Sequence, residues 1–200
     1  KFKIVIQIIM NTLKYLEEWR DLASHGNFKL AENLYYEKLF PEVISIFCEK
    51  HQSEFSEKGV LVSLLGFSPE PLILTAKAVK PAHHYILTTE IREDILDRIH
   101  NYLDNDFELV IIDSPDFQSI YKSLKEILYK VNTTNITLDI TGGKKSMVAS
   151  AAIFGKDYRF RITYVDFEEY IKELRKPLPG SEILNTVYNP DIDQPELFLK

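Results

Sequence analysis

The sequence predicts an α/β fold: a Rossmann-like, mostly parallel sheet with helices on both faces, preceded by an N-terminal helical hairpin. Three observations lead there. From residue 59 onward, five short apolar runs alternate with four segments of helical periodicity. The apolar runs are bounded by turn residues and are too short for helices. Strands that alternate with helices join into a parallel sheet through right-handed crossovers, which place helices on both faces.

Taken in order, Phe2, Ile6, Ile9, Leu13, Leu16 and Ala23 recur at spacings of three and four, with Arg20 interrupting, and predict a helix over 2–23 that pairs with another surface. The opening run from Phe2 to Met10 is strongly apolar. The chain starts at lysine rather than methionine, so a truncated membrane helix and a buried or oligomerising helix both stay open. Gly26 stops this helix. A second helical region runs through Phe28, Ala31, Leu34, Tyr35 and Leu39, is expected to break at Pro41, and resumes through Val43, Ile44, Phe47 and Phe55. These pieces form a helical region over 1–58, for oligomerisation or connection to an effector. The sheet domain follows over 59–190, with a tail over 191–200.

In the sheet domain, strands are expected at 60–65, 85–88, 108–112, 136–140 and 161–165. Helices are expected at 69–79, 91–103 and 117–131 and from residue 143, with a short edge strand at 183–187. The most informative stretch is 135–154. There the strand Ile136, Leu138, Ile140 runs into Asp139-Ile140-Thr141-Gly142-Gly143-Lys144-Lys145-Ser146-Met147 and then into a helix of small residues. Glycine permits positive φ and close approach to the main chain. A helix N-terminus carries about half a positive charge, and Lys144 and Lys145 add two full ones. Lysines oppose that dipole, so their presence is more easily understood if an anion shares the site. The turn is not a P-loop, because the upstream glycine is missing, and it lacks the three spaced glycines of a dinucleotide fingerprint.

A second switch, Gly66-Phe67-Ser68-Pro69-Glu70-Pro71, follows the strand at 60–65, with Ser68 as the expected N-cap and Pro69 as the first helical residue. Both turns lie at the carboxyl end of a parallel sheet, where ligands bind. The rim of strand ends adds Ser63, Thr88, Thr89, Glu90, Asp113, Ser114, Asp116, Asp166 and Phe167. Phe67 is a candidate for stacking on a flat base, and packing back on its helix is the alternative. Thr88 and Thr89 are candidates for base edges or ribose hydroxyls, or for a helix cap. Asp116 or Ser114 is read as an N-cap, and Asp139 as a holder of the glycine turn. His83 and His84 point to opposite sides of a strand and cannot chelate together.

The chain of 200 residues is 45% hydrophobic and 27% charged, ordinary for a globular protein. A net charge of −6 argues against a general nucleic-acid-coating surface while leaving room for a local basic pocket. The lone Cys48 excludes an internal disulfide and a multi-cysteine zinc site, and suits a reducing cytoplasm. No residue pattern calls for a metal or a cofactor.

The paired stretches Gly66-Phe67-Ser68-Pro69-Glu70-Pro71 and Asp139-Ile140-Thr141-Gly142-Gly143-Lys144-Lys145-Ser146-Met147 together resemble the CRISPR-associated Rossmann-fold (CARF) domain. Pro177-Leu178-Pro179-Gly180-Ser181-Glu182 is similar to how several such domains close. The resemblance covers roughly 59–190. It implies a homodimeric or larger sensor of cyclic oligoadenylate, the second messenger of type III CRISPR antiviral defence, which switches an attached effector. The four-membered ring is the expected ligand, and Ser63, Gly66, Phe67, Ser68, Thr88, Thr89, Asp113, Thr141, Gly142, Gly143, Lys144, Lys145 and Ser146 are the expected binding residues. The sensor is expected to be cytoplasmic, with a tether to the inner membrane through an upstream segment as an open option. Some relatives cleave the messenger, so a metal-independent ring nuclease is one alternative, and a dimeric interaction module without nucleotide is another. Arg20 and His25 match the Arg-x4-His spacing of HEPN ribonucleases and are read as a coincidence of composition.

Overall fold

The computed structural model describes residues 13–55, 58–103 and 107–193. The chain divides into two compact units, Lys1–Glu54 with Asp166–Ile183, and Phe55–Val165 with Leu184–Lys200.

The first unit is helical. Helix α1 (Leu16–Ser24) buries Leu16, Trp19 and Ala23, with Leu13 also buried just before it, so the inward seam runs through Trp19 rather than being cut at Arg20. The part of the expected 2–23 helix before residue 13 lies outside the described residues. Gly26, at φ 77°, ends the helix as expected, and the Asn27 amide donates to the Leu22 carbonyl in the manner of a Schellman cap. The expected break at Pro41 is absent. Helix α2 (Phe28–Leu34) passes through one π-helical turn (Tyr35–Leu39) directly into α3 (Phe40–His51), with Pro41 in the first turn of α3. Proline lacks only a donor, which costs little at a helix start. Here the wide turn before it resets the hydrogen-bond pattern, and Tyr35 stacks on Phe40 at 5.5 Å across that reset. Trp19 lies 6.1 Å from Tyr35 and carries the Lys176 ammonium over its face at 6.0 Å. A short hairpin of β6 (Tyr170–Ile171) and β7 (Lys176–Pro177), which the polar character of this stretch concealed, completes the unit. Arg20 and His25 are both exposed, and His25 faces Asp21 at 3.3 Å.

The second unit is the predicted sheet. Its strands are β1 (Val60–Leu64), β2 (His83–Thr88), β3 (Phe107–Ile111), β4 (Ile136–Asp139), β5 (Arg161–Phe167) and β8 (Glu182–Tyr188), in the order β3-β2-β1-β4-β5-β8. The pairs β1/β2, β2/β3, β1/β4 and β4/β5 are all parallel. Central β1 and β4 are buried along their full lengths, as continuous apolar runs in a covered parallel sheet should be, whereas edge strand β3 is only half-buried. Helices α4 (Glu70–Val79), α5 (Glu93–Tyr102), α6 (Phe117–Val131) and α7 (Lys145–Asp157) form the crossovers. Asp116 caps α6, its carboxylate accepting the Ser119 amide at 2.8 Å. Among the described residues, no helix is long and apolar enough to cross a membrane.

One face of the sheet, bearing Val62, Leu64, Leu87 and Leu138, packs on Ile120 and Leu124 of α6 and on Ala151 and Phe154 of α7. Phe154 is fully buried, stacked on Tyr158 at 4.2 Å and meeting Tyr121 edge-on at 4.6 Å. A Cβ on Gly155 beside it would lie 3.0 Å from Leu138 and 3.1 Å from Ile162, so those side-chain ends would have to move by a few tenths of an ångström. Phe154→Ala should therefore lower the unfolding free energy by about 3–5 kcal/mol in urea denaturation.

Candidate functional site

In the strand order, β1 leads to β2 on one side while its other neighbour is β4, so the connectivity reverses between β1 and β4. Open parallel sheets bind ligands at the carboxyl ends of the strands flanking such a reversal. Register makes the two turns meet. Ser63 pairs with Asp139, so β1 and β4 release their chains at the same height.

The two turns then touch through their main chains. A Cβ on Gly142 would lie 2.1 Å from the Leu64 carbonyl oxygen and 2.8 Å from the Gly66 amide nitrogen; one on Gly66 would lie 2.9 Å from the Gly143 nitrogen. Gly143 takes φ 86°, which side chains other than hydrogen strain to adopt. The turn is also tied from below. Asp139 Oδ1 accepts the Thr141 amide at 3.0 Å and the Thr141 hydroxyl at 2.5 Å, and Thr141 Oγ1 accepts the Val165 amide at 2.8 Å. Helix α7 starts from this turn at Lys144 with no side-chain cap and no acid in its first turn, so its first amides and the exposed Lys144 and Lys145 make a cationic end.

A cleft of about 480 Å³ opens over the turns, within the span of small-ligand sites. Of the sequence-predicted residues, Gly66, Phe67, Ser68, Thr88, Thr89, Thr141, Gly142, Gly143, Lys144 and Lys145 line it. Phe67 is 79% exposed, so its ring faces outward rather than packing on α4. Ser63, Asp113 and Ser146 do not line it. Ser63 is fully buried and bonded to His84 Nε2 at 3.0 Å, because a residue inside a central strand points into a helix-covered face. Asp113 follows β3, the far edge strand, and Ser146 sits exposed on the first turn of α7. Sequence reasoning left out Leu65, Pro71, Arg92, Ile95 and Met147, and named Glu90 only as part of the rim. Arg92 and Ile95 come from the start of α5, two and five residues past the rim that the strand ends mark. The expected helix start is displaced by one residue: Pro69 is the N-cap of α4 and Ser68 belongs to the loop. Thr88 caps no helix; its hydroxyl donates to the Glu90 carbonyl at 2.9 Å and holds the β2 turn. Among the described residues, no group of three or more His, Cys, Asp or Glu side chains is arranged to hold a metal ion.

Two buried titratable groups lie beneath the cleft. Asp139 is fully buried, and burial raises its pKa to about 6 despite the two Thr141 hydrogen bonds, which oppose the rise. Its second oxygen makes no hydrogen bond, and the Thr75 hydroxyl of α4 eases the charged form only slightly. His84 is pushed down to about 4 by burial and is neutral. The signs are opposite. Asp139 binds its proton more tightly folded than unfolded, so its contribution falls as pH rises from about 4 to 6; that of His84 falls as pH drops from about 6.5 to 4. Asp139→Asn, which keeps an acceptor for Thr141, should be more stable than wild type at pH 7 by up to about 3 kcal/mol, with the gain gone near pH 4 in denaturation midpoints. Gly142→Ala should cost about 1–3 kcal/mol or more by the same measurement, since its Cβ meets backbone that cannot swing aside.

No family model matches the chain. The CRISPR system endoribonuclease Csm6 of Thermus thermophilus is 31% identical over 181 residues, covering 87% of this chain; the chain spans 39% of that relative's length. Similar solved structures include Can2 from Sulfobacillus thermosulfidooxidans in complex with cyclic tetra-adenylate, at 21% identity over 54% of this chain and 32% of that one, with a TM-score of 0.48. Enterococcus italicus Csm6 bound to cyclic hexa-2'-fluoro-hexa-dAMP matches at 14% identity over 68% and 44% of the two chains, with a TM-score of 0.48. Protein VC1899 from Vibrio cholerae matches at 13% identity over 54% and 30%, with a TM-score of 0.45. The chain is thus similar over 87% of its length to a CRISPR system endoribonuclease, and its Rossmann-like sheet with two joined turns at the switch point is the arrangement that the resemblance to CARF-domain proteins of type III CRISPR systems implies.

Proposed function

We propose that this domain is a sensor of cyclic oligoadenylate in type III CRISPR antiviral signalling. It binds the messenger, the four-membered ring in the first place, across a homodimer and switches an attached effector. The observation that carries this reading is the cationic end of α7 set into a cleft whose floor is bare backbone. Phosphates of the ring lie against the first amides of α7 and between Lys144 and Lys145, where dipole and full charges act in the same sense. The outward Phe67 ring gives a base a stacking platform, which contributes about 1–3 kcal/mol per base. Thr89 and Ser68 supply hydroxyls at the same rim.

A ring of repeating nucleotides has the symmetry of a two-fold dimer, so a second copy offers the other half of the ligand the same turns. Because the ligand favours whichever dimer state its contacts fit better, binding shifts that equilibrium, and the helical unit passes the change to the effector. A membrane-linked effector would need a span that no helix among the described residues provides. With a net charge of −6, the chain suits a small anion held locally rather than a nucleic-acid polymer.

Calorimetry of the purified chain with cyclic tetra- and hexa-adenylate tests the reading. Binding with one ring per two chains is expected, and Lys144→Ala combined with Lys145→Ala should weaken it about 100-fold or more, given two charge-assisted contacts. Unchanged affinity in the double variant would remove the phosphate site, and failure of the wild type to bind either ring would remove the sensor.

A further inference from the structure

The cleft holds one group that an anion site has no use for. Glu90 is the single acidic residue among those lining it, set at the end of β2 while Lys144 and Lys145 stand at the start of α7. A carboxylate there repels phosphate, so on charge alone the cleft would be better without it. It is nonetheless held in place: the buried Thr88 hydroxyl donates to the Glu90 carbonyl at 2.9 Å and faces the Glu90 amide at 3.4 Å, fixing the backbone where β2 ends. Its carboxylate has no hydrogen-bond or ion-pair partner among the described residues, and the nearest cation in sequence, Arg92, is engaged by Asp94 at 2.9 Å.

An unpaired acceptor at the rim of a nucleotide cleft discriminates between bases. A carboxylate only accepts hydrogen bonds, so it favours a base edge that presents an amine and opposes one that presents a carbonyl. Resting on the sensor reading above, we infer that Glu90 is a specificity-determining residue that accepts a hydrogen bond from the exocyclic 6-amino group of adenine, so that its repulsion of phosphate is offset only for adenylate rings. Lysines and amides at the α7 turn hold any ring of phosphates; Glu90 makes the cleft read the base.

The test compares cyclic tetra-adenylate with the same ring built from purine riboside, which lacks only the 6-amino group, by calorimetry on the full chain. Wild type should prefer the adenylate ring about tenfold or more, as expected for a hydrogen bond to a charged acceptor. Glu90→Ala should abolish the preference: the purine ring binds unchanged or tighter because the repulsion is gone, and the adenylate ring loses up to about the same tenfold factor, less any tightening that both rings share. Glu90→Gln, which keeps a carbonyl acceptor, should retain part of the preference. Equal tightening of both rings in Glu90→Ala would show a surface charge that merely repels phosphate and would overturn the inference while leaving the sensor intact. Wild type that binds both rings equally overturns it too, and wild type that binds neither overturns the sensor as well. Glu90 is exposed and outside any helix or strand, so the variants fold as the wild type does.

Discussion

The contact on which the site depends is one of backbone with backbone: Gly142 lies so close to the Leu64 carbonyl and the Gly66 amide that no side chain fits between them. That proximity follows from the sheet. Register sets Ser63 beside Asp139, both strands end within a residue or two, and the chain has to turn in the same small volume twice. Two glycines facing each other make this possible, and a third, Gly143, takes the left-handed backbone that starts α7. The cleft is then a consequence of the switch in strand order, because helices diverge to opposite faces of the sheet from neighbouring strands.

Charge is distributed around that contact in a consistent way. Above it, two lysines stand at a helix end that already carries a partial positive charge, an arrangement that costs stability unless an anion is near. Below it, the buried carboxyl of Asp139 accepts both Thr141 hydrogen bonds through one oxygen and so orders the main chain of the turn. The Thr141 hydroxyl carries this one step further by accepting the Val165 amide, which joins the turn to the next strand. A turn fixed at three strands holds its amides in one geometry, which would lower the entropy that binding of the proposed ring has to overcome.

What was legible in the sequence follows from which physics is local. The five strands and the four helices between them were visible because continuous apolar runs and 3.6-residue periodicity are properties of adjacent residues, and β1, β4, α4 and α6 fall within a residue of their expected bounds. The glycine turns were visible because glycine at a strand-to-helix switch has few other uses. Residues that reach the cleft from the start of α5 were not, since Arg92 and Ile95 arrive by the tertiary placement of a helix on the sheet. Ser63 misled because a strand end looks like a rim until the register shows that its side chain points under α4, toward His84. Pro41 misled for a different reason: proline predicts a break only when the hydrogen-bond pattern is that of an ordinary α-helix, and a π-helical turn had already altered it.

The two faces of the sheet divide the work of the domain. Alternation places Val60, Val62, Leu64, Tyr85, Leu87, Ile136, Leu138 and Ile162 on the face covered by α6 and α7, where they form one hydrophobic cluster. The opposite face, between Leu61 and Ile86, carries Ser63, His84, Thr88, Thr137, Asp139 and Thr163, all buried. Buried polar groups are expensive, and Thr75 Oγ1, Thr163 Oγ1 and Asp139 Oδ2 make no hydrogen bond within the protein. A sheet optimised only for stability would have put valine or isoleucine at these positions. On this face Thr88 and Asp139 hold the Thr88–Glu90 turn and the Asp139–Thr141 turn, so part of its cost falls where the main chain lines the cleft, and the apolar face supplies the stability that offsets it.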